Sequence, residues 1–221
     1  MIVYYHLPKT GGRGICQWLQ RELKGDYLQI KPANEALVCK YIHFPETRAF
    51  TTKAVGGHDT LEVEGYKGYT TLREPAERLW SRWCHLKRVD PNCWGDFESF
   101  MDKGFCKCLW CTYPDLTNYP KYHQHKSNPI TWFYASRTTR GIEQPKDPYE
   151  VARGVLLRSS IYGMCQQRLL VNDLARELKI KSEHYQPVDI TGSGIDIPGW
   201  ARKVVAKRDK MDYELWNEFG S

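Results

Sequence analysis

His6-Leu7-Pro8-Lys9-Thr10-Gly11-Gly12-Arg13-Gly14 emerges from a short apolar run, Ile2 to Leu7, and leads into Ile15, Trp18, Leu19 and Leu23, which recur at helical spacing. The run has the length of a buried strand and the later periodicity is that of a helix with one buried face, so the stretch reads as strand, glycine-rich loop, helix. Such a junction suits an anion. Glycine lets the backbone approach a bound group closely, and the opening turn of the helix presents free N–H groups at its positive dipole end. Lys9 and Thr10 add a point charge and a hydroxyl, as phosphate loops do. The Walker pattern closes in Gly-Lys-Ser/Thr, whereas here Pro8-Lys9-Thr10 precedes Gly11-Gly12, which puts the lysine at the opposite end of the loop. The plainer reading of the same residues is a tight turn with a surface lysine.

A second strand-to-helix junction lies between Gly68 and Arg88. Tyr69 to Leu72 reads as a strand and Pro75 as the first residue of a helix, with Glu74 near its positive end. Ala76, Leu79, Trp80 and Trp83 form the buried stripe, leaving Arg78, Ser81 and Arg82 on other faces. Arg73 therefore stands at a strand end, the edge where open α/β sheets bind ligands. Gly56-Gly57-His58 reads as a glycine-rich turn before that strand. Further along, the spacing predicts a helix over Pro148 to Arg158, a strand over Ser160 to Gly163, a helix over Gln166 to Leu178, a loop from Ile190 to Gly199 and a helical end from Asp209 to Phe219. Residues 90–145, rich in Cys, His, Pro and aromatics without sustained periodicity, read as an insertion covering the site of a single domain, 1–221. The expected fold is α/β: a P-loop-like, mainly parallel sheet flanked by helices.

The chain of 221 residues is long enough to bury a core, and its 41% hydrophobic and 26% charged content is that of a globular protein. A net charge of +6 suits an anionic ligand, and solvated lysines account for it equally well. No block of like charge suggests a nucleic-acid tail, and no apolar run is long enough for a membrane span. With no secretory signal in view, the expected location is the cytoplasm; a catalytic domain cut from an anchored, Golgi-type enzyme would carry the same features. Of eight cysteines, Cys16, Cys39 and Cys165 are scattered. Cys93, Cys106, Cys108 and Cys111 follow a Cys-x12-Cys-x-Cys-x2-Cys spacing that is not a zinc ribbon, leaving free thiols, a disulfide or a structural metal open.

Taken together, the two junctions resemble those of the sulfotransferases that use 3′-phosphoadenosine 5′-phosphosulfate, especially the carbohydrate group containing the heparan sulfate 2-O- and 6-O-sulfotransferases. HLPKTGGRG resembles the 5′-phosphosulfate loop of that family and TLREPAERLWSRW its 3′-phosphate element. GGHDTL, Gly56 to Leu61, lies between them, where the 2-O and 6-O enzymes carry a catalytic histidine. SNPITWFYAS, IYGMCQQRLLVNDL and DYELWNEF resemble later segments, so the likeness extends over nearly the whole chain. Arg13 departs from the small or hydroxyl residue common after the two glycines, Glu74 from the usual aspartate, and Gln166-Gln167 from a frequently acidic position.

The resemblance implies transfer of a sulfuryl group to a hydroxyl acceptor, a glycan or other small molecule, with adenosine 3′,5′-bisphosphate as product and no metal required. It assigns Lys9, Thr10, Gly11, Gly12, Arg13 and Gly14 to the 5′ end of the donor, and Arg73 and Ser81 to its 3′-phosphate. Lys9 also stabilises charge on the departing phosphate, and His58 is the expected catalytic base, with Glu62 as the alternative. Arg78 is expected to pair with Glu74 at helical spacing. Two other classes use similar residues. A kinase of related fold would need ATP and a metal-binding carboxylate pair, and a non-catalytic anion- or glycan-binding module would have no use for a base beside the loop.

Overall fold

The computed structural model describes residues 1–30, 52–57, 60, 62, 65–89, 95–103, 127–139, 145–187 and 196–220. They divide into two compact units, Met1–Leu72 with Leu157–Ile190, and Arg73–Leu156 with Thr191–Ser221.

The first unit is built on five parallel strands: β1 (Ile2–Tyr5), β2 (Tyr27–Ile30), β3 (Ala54–Gly57), β4 (Lys67–Leu72) and β5 (Ser159–Gly163), in the order β2-β3-β1-β4-β5. β1 is central and buried at every position, as parallel strands covered on both faces are. Ile2 and Tyr4 point to one face, where they join Ile15, Trp18, Leu19 and Leu23 of helix α1 (Gly12–Leu23). Leu170, Val171, Leu174 and Leu178 of α6 (Gln167–Leu178) complete the same core. The apolar stripe anticipated after the loop is thus the face that α1 lays on the sheet.

From β1 the chain moves to β2 at one edge; from β4 it moves to β5 at the other. The winding therefore reverses between these neighbours. In open parallel sheets that reversal opens a ligand crevice at the carboxyl ends of the strands, and the glycine loop is the continuation of β1 at that end.

β3 corrects the sequence reading. Gly56 and Gly57 are strand residues, paired in register with Tyr4 and Tyr5, rather than a turn. A side chain at Gly56 would lie 3.0 Å from the Tyr27 hydroxyl and 3.2 Å from Tyr4 Cβ, so two tyrosines on neighbouring strands demand the glycine that imitates a turn signal.

The second unit contains α2 (Pro75–Val89), α3 (Phe97–Lys103), α4 (Pro129–Thr139), α5 (Pro148–Leu157), α7 (Gly199–Arg208) and α8 (Lys210–Phe219). Ala76, Leu79 and Leu86 of α2 pack with Phe97, Phe100 and Met101 of α3 and with Ala201 and Val205 of α7. α7 begins at Gly199, inside the predicted loop, and α4 lies in the region expected to lack periodicity.

α4 and α8 cap each other. Asp212 accepts the Ile130 N–H (2.9 Å), the Thr131 N–H (2.8 Å) and the Thr131 hydroxyl (2.8 Å). Asp209 accepts the Asn128 N–H (2.8 Å), while the Asn128 side chain accepts the Met211 N–H (3.0 Å). These bonds satisfy orphan donors that a helix start otherwise leaves to water. Among the described residues no helix is long and apolar enough to cross a membrane.

Candidate active site

The glycine loop turns sharply out of β1. The His6 N–H donates to the Gly57 carbonyl at the end of β3 (3.1 Å), and the Leu7 N–H folds back onto the Tyr5 carbonyl (3.2 Å). Lys9 and Gly11 both take left-handed backbone, with φ of 70° and 76°. For lysine this is an uncommon conformation that surrounding structure must hold in place. Thr10 between them is fully buried, and its hydroxyl donates to the Leu7 carbonyl (2.7 Å). In this arrangement the Thr10 proton closes the loop.

Gly12 opens α1 under a tight roof: a Cβ there would lie 2.2 Å from the His6 ring and 2.6 Å from the Tyr4 hydroxyl. His6 is itself buried, stacked on Tyr4 and 3.7 Å from the Cys16 thiol. Burial pushes that thiol up to about 11, so Cys16 is a packing group and not a nucleophile. The N-cap of α1, Gly11, makes no side-chain capping bond, and the first turn has no acid. No carboxylate of the helix's own first turn therefore competes for its positive end. Gly14 is buried and Arg13 exposed.

Near the end of β3, the Thr60 hydroxyl donates to the same Gly57 carbonyl that receives His6 (3.1 Å). Glu62 is gripped by a forked Arg158, Nε to Oε1 at 2.6 Å and a terminal nitrogen to Oε2 at 3.1 Å. Both Glu62 oxygens are thus engaged by one cation. His58 lies outside the described residues, as do Cys93, Cys106, Cys108 and Cys111.

Arg73 follows the last residue of β4 in the chain and belongs to the second unit, with Ser81. Both are buried, 6% and 2% exposed. Burial lowers the Arg73 guanidinium from its ordinary range, against the pull of Glu77, whose carboxylate lies 3.5 Å from its Nε. Glu77 also meets Arg202 (3.4 Å), and Arg202 meets Glu74 (3.0 Å). Glu74 caps α2 by accepting the Glu77 N–H (2.8 Å) and receives the Tyr213 hydroxyl.

Arg78 is buried; burial brings its guanidinium down to about 10, and the carboxylates that counter this are Asp212 and Asp209. These acids belong to the α4–α8 junction. Arg202 and Gln167, discussed below, were not among the residues expected at the site. Arg202 lies 129 positions beyond Arg73, and no periodicity links them.

The structure thus places Lys9 to Gly14 at one loop and the helix start that follows it, and buries Arg73 just before α2 and Ser81 within α2. No protein-family model matches the chain, and no curated protein matches it.

Proposed function

We propose that the protein is a sulfotransferase of P-loop-like fold, which takes a sulfuryl group from 3′-phosphoadenosine 5′-phosphosulfate and delivers it to a hydroxyl, most simply on a carbohydrate. One observation carries the reading: an uncapped, acid-free helix start, approached through left-handed Lys9 and Gly11, continues the central strand of a parallel sheet where its winding reverses. A phosphate group fits donors of this kind. The first-turn N–H groups and Lys9 would hold the 5′ end, while Arg73, a fork suited to phosphate, would hold the 3′-phosphate with Ser81.

The donor supplies an activated sulfuryl group, whose bond to the phosphate oxygen breaks as the bond from the acceptor oxygen forms. Lys9 neutralises the charge that collects on the departing phosphate. His58 takes the proton of the acceptor hydroxyl, and the engagement of Glu62 by Arg158 favours histidine over that carboxylate. A donor labelled in sulfur, incubated with candidate glycans, tests the reading. Labelled product should form together with adenosine 3′,5′-bisphosphate, and His58→Ala should lower turnover by about 10²- to 10⁴-fold without weakening donor binding. The wild-type rate should fall at low pH as the base takes up a proton, a limb absent from the variant. Wild-type turnover in His58→Ala, where chemistry limits the rate, would reject this base.

A further inference from the structure

We infer that Gln167 is a positioning residue for the glycine loop: its side-chain amide, held by Tyr185, latches the Thr10–Gly11 backbone into the shape that receives an anion. For its ligand this rests on the anion-site reading above; its geometry comes from the first unit alone. Gln167 opens α6 just after β5, and its Nε2 donates to the Thr10 carbonyl (3.1 Å). A carbonyl only accepts, so the amide must face it with nitrogen; its Oε1 is left to accept the Tyr185 hydroxyl (2.9 Å). Tyr185 is 5% exposed, in edge contact with Trp18 of α1. Its own segment is tied down by Trp18 Nε1 on the Lys181 carbonyl (3.0 Å) and by Arg168 on the Ser182 carbonyl (3.3 Å). The latch is therefore anchored to the core of the sheet.

Gly11 supplies the matching half. A Cβ at this position would lie 1.8 Å from Gln167 Nε2, so the amide occupies the space a side chain would take. Glycine is required here twice, by the left-handed backbone and by the latch. The charge state is specified as well. A glutamate of the same shape would face the Thr10 carbonyl without a proton and set a negative charge beside a loop that takes an anion.

The test uses the full chain and two readouts. Hydrogen exchange of the amides from Lys9 to Gly14, without ligand, should quicken by about 3- to 10-fold in Gln167→Met, the effect of one net hydrogen bond, and less in Tyr185→Phe, which keeps the amide and the ring packing. Binding of adenosine 3′,5′-bisphosphate should weaken in Gln167→Met and further in Gln167→Glu, the gap between them closing as salt is raised. A purely packing role would move the melting temperature without that salt-dependent gap. Unchanged loop exchange in both Gln167→Met and Tyr185→Phe would overturn the latch whatever the nucleotide does. Quickened exchange in a protein whose wild type binds no bisphosphate would keep the latch and remove the ligand reading.

Discussion

At the scale of the residue, the loop depends on Gly11, and the proposed 3′-phosphate contact depends on Arg73. Gly11→Ala should destabilise the fold by roughly 1 to 3 kcal/mol, the cost of a left-handed non-glycine residue, with displacement of the Gln167 amide added; chemical denaturation measures it, and a change within a few tenths of a kcal/mol would contradict the structure. Arg73→Ala should weaken adenosine 3′,5′-bisphosphate by roughly 1.5 to 3 kcal/mol, the range of charge-assisted bonds, and leave AMP nearly unchanged. The fold should tolerate it, because Glu77 keeps Arg202 as a partner at 3.4 Å. Equal weakening of both nucleotides, read by calorimetry, would sever Arg73 from the 3′ position. Lys9 to Gly14 were legible in the sequence because a glycine-rich turn is a local device. Gln167 was not, since the contact that gives it meaning spans 157 positions.

At the scale of the element, the mutual capping of α4 and α8 ties the second unit to pH. Asp212 is buried, and burial together with the charge of Asp209 raises its carboxyl to about 7, against the pull of its backbone donors and Arg78. The folded protein then binds a proton that the unfolded chain releases at ordinary carboxylate pH. Stability should therefore rise as pH falls from about 7 toward 4, by at most ~1.4 kcal/mol per pH unit from this group. Carboxylates such as Glu218, held below its ordinary range by its bond to Arg153, act in the opposite sense at lower pH. Asp212→Asn should lose stability, because its amide nitrogen meets backbone donors, and should flatten the slope between pH 4 and 7; denaturation midpoints measured across that window decide it, and an unchanged slope would reassign the proton.

These helices also mark where sequence reading stopped. Ile130, Thr131, Phe133, Tyr134 and Ala135 of α4 are all buried, and a helix covered on several sides shows no stripe to find. α7 starts within a segment whose glycines and prolines signal a loop. By contrast, Pro75 and the stripe behind it placed the start of α2 to the residue.

At the scale of the whole molecule, strand and helix alternation indicated a mainly parallel α/β sheet, and among the described residues all five strands are parallel. Strand order is a different kind of fact. It is set by pairings such as Ile2 with Ala54 and Gly68 with Ser159, which no local pattern encodes, and β3 escaped notice because Gly56-Gly57, half of its four residues, imitates a turn. The proposed function requires that the protein bind a nucleotide carrying two separate phosphates, the 5′ group assigned to the glycine loop and the 3′ group to Arg73. The most direct test is the thermal shift of the full chain with adenosine 3′,5′-bisphosphate against AMP at equal concentration. Because a ligand that binds only the folded state stabilises it by mass action, the bisphosphate should raise the melting temperature well beyond AMP, and the difference should vanish in Arg73→Ala; equal shifts for the two nucleotides in the wild type would contradict the account.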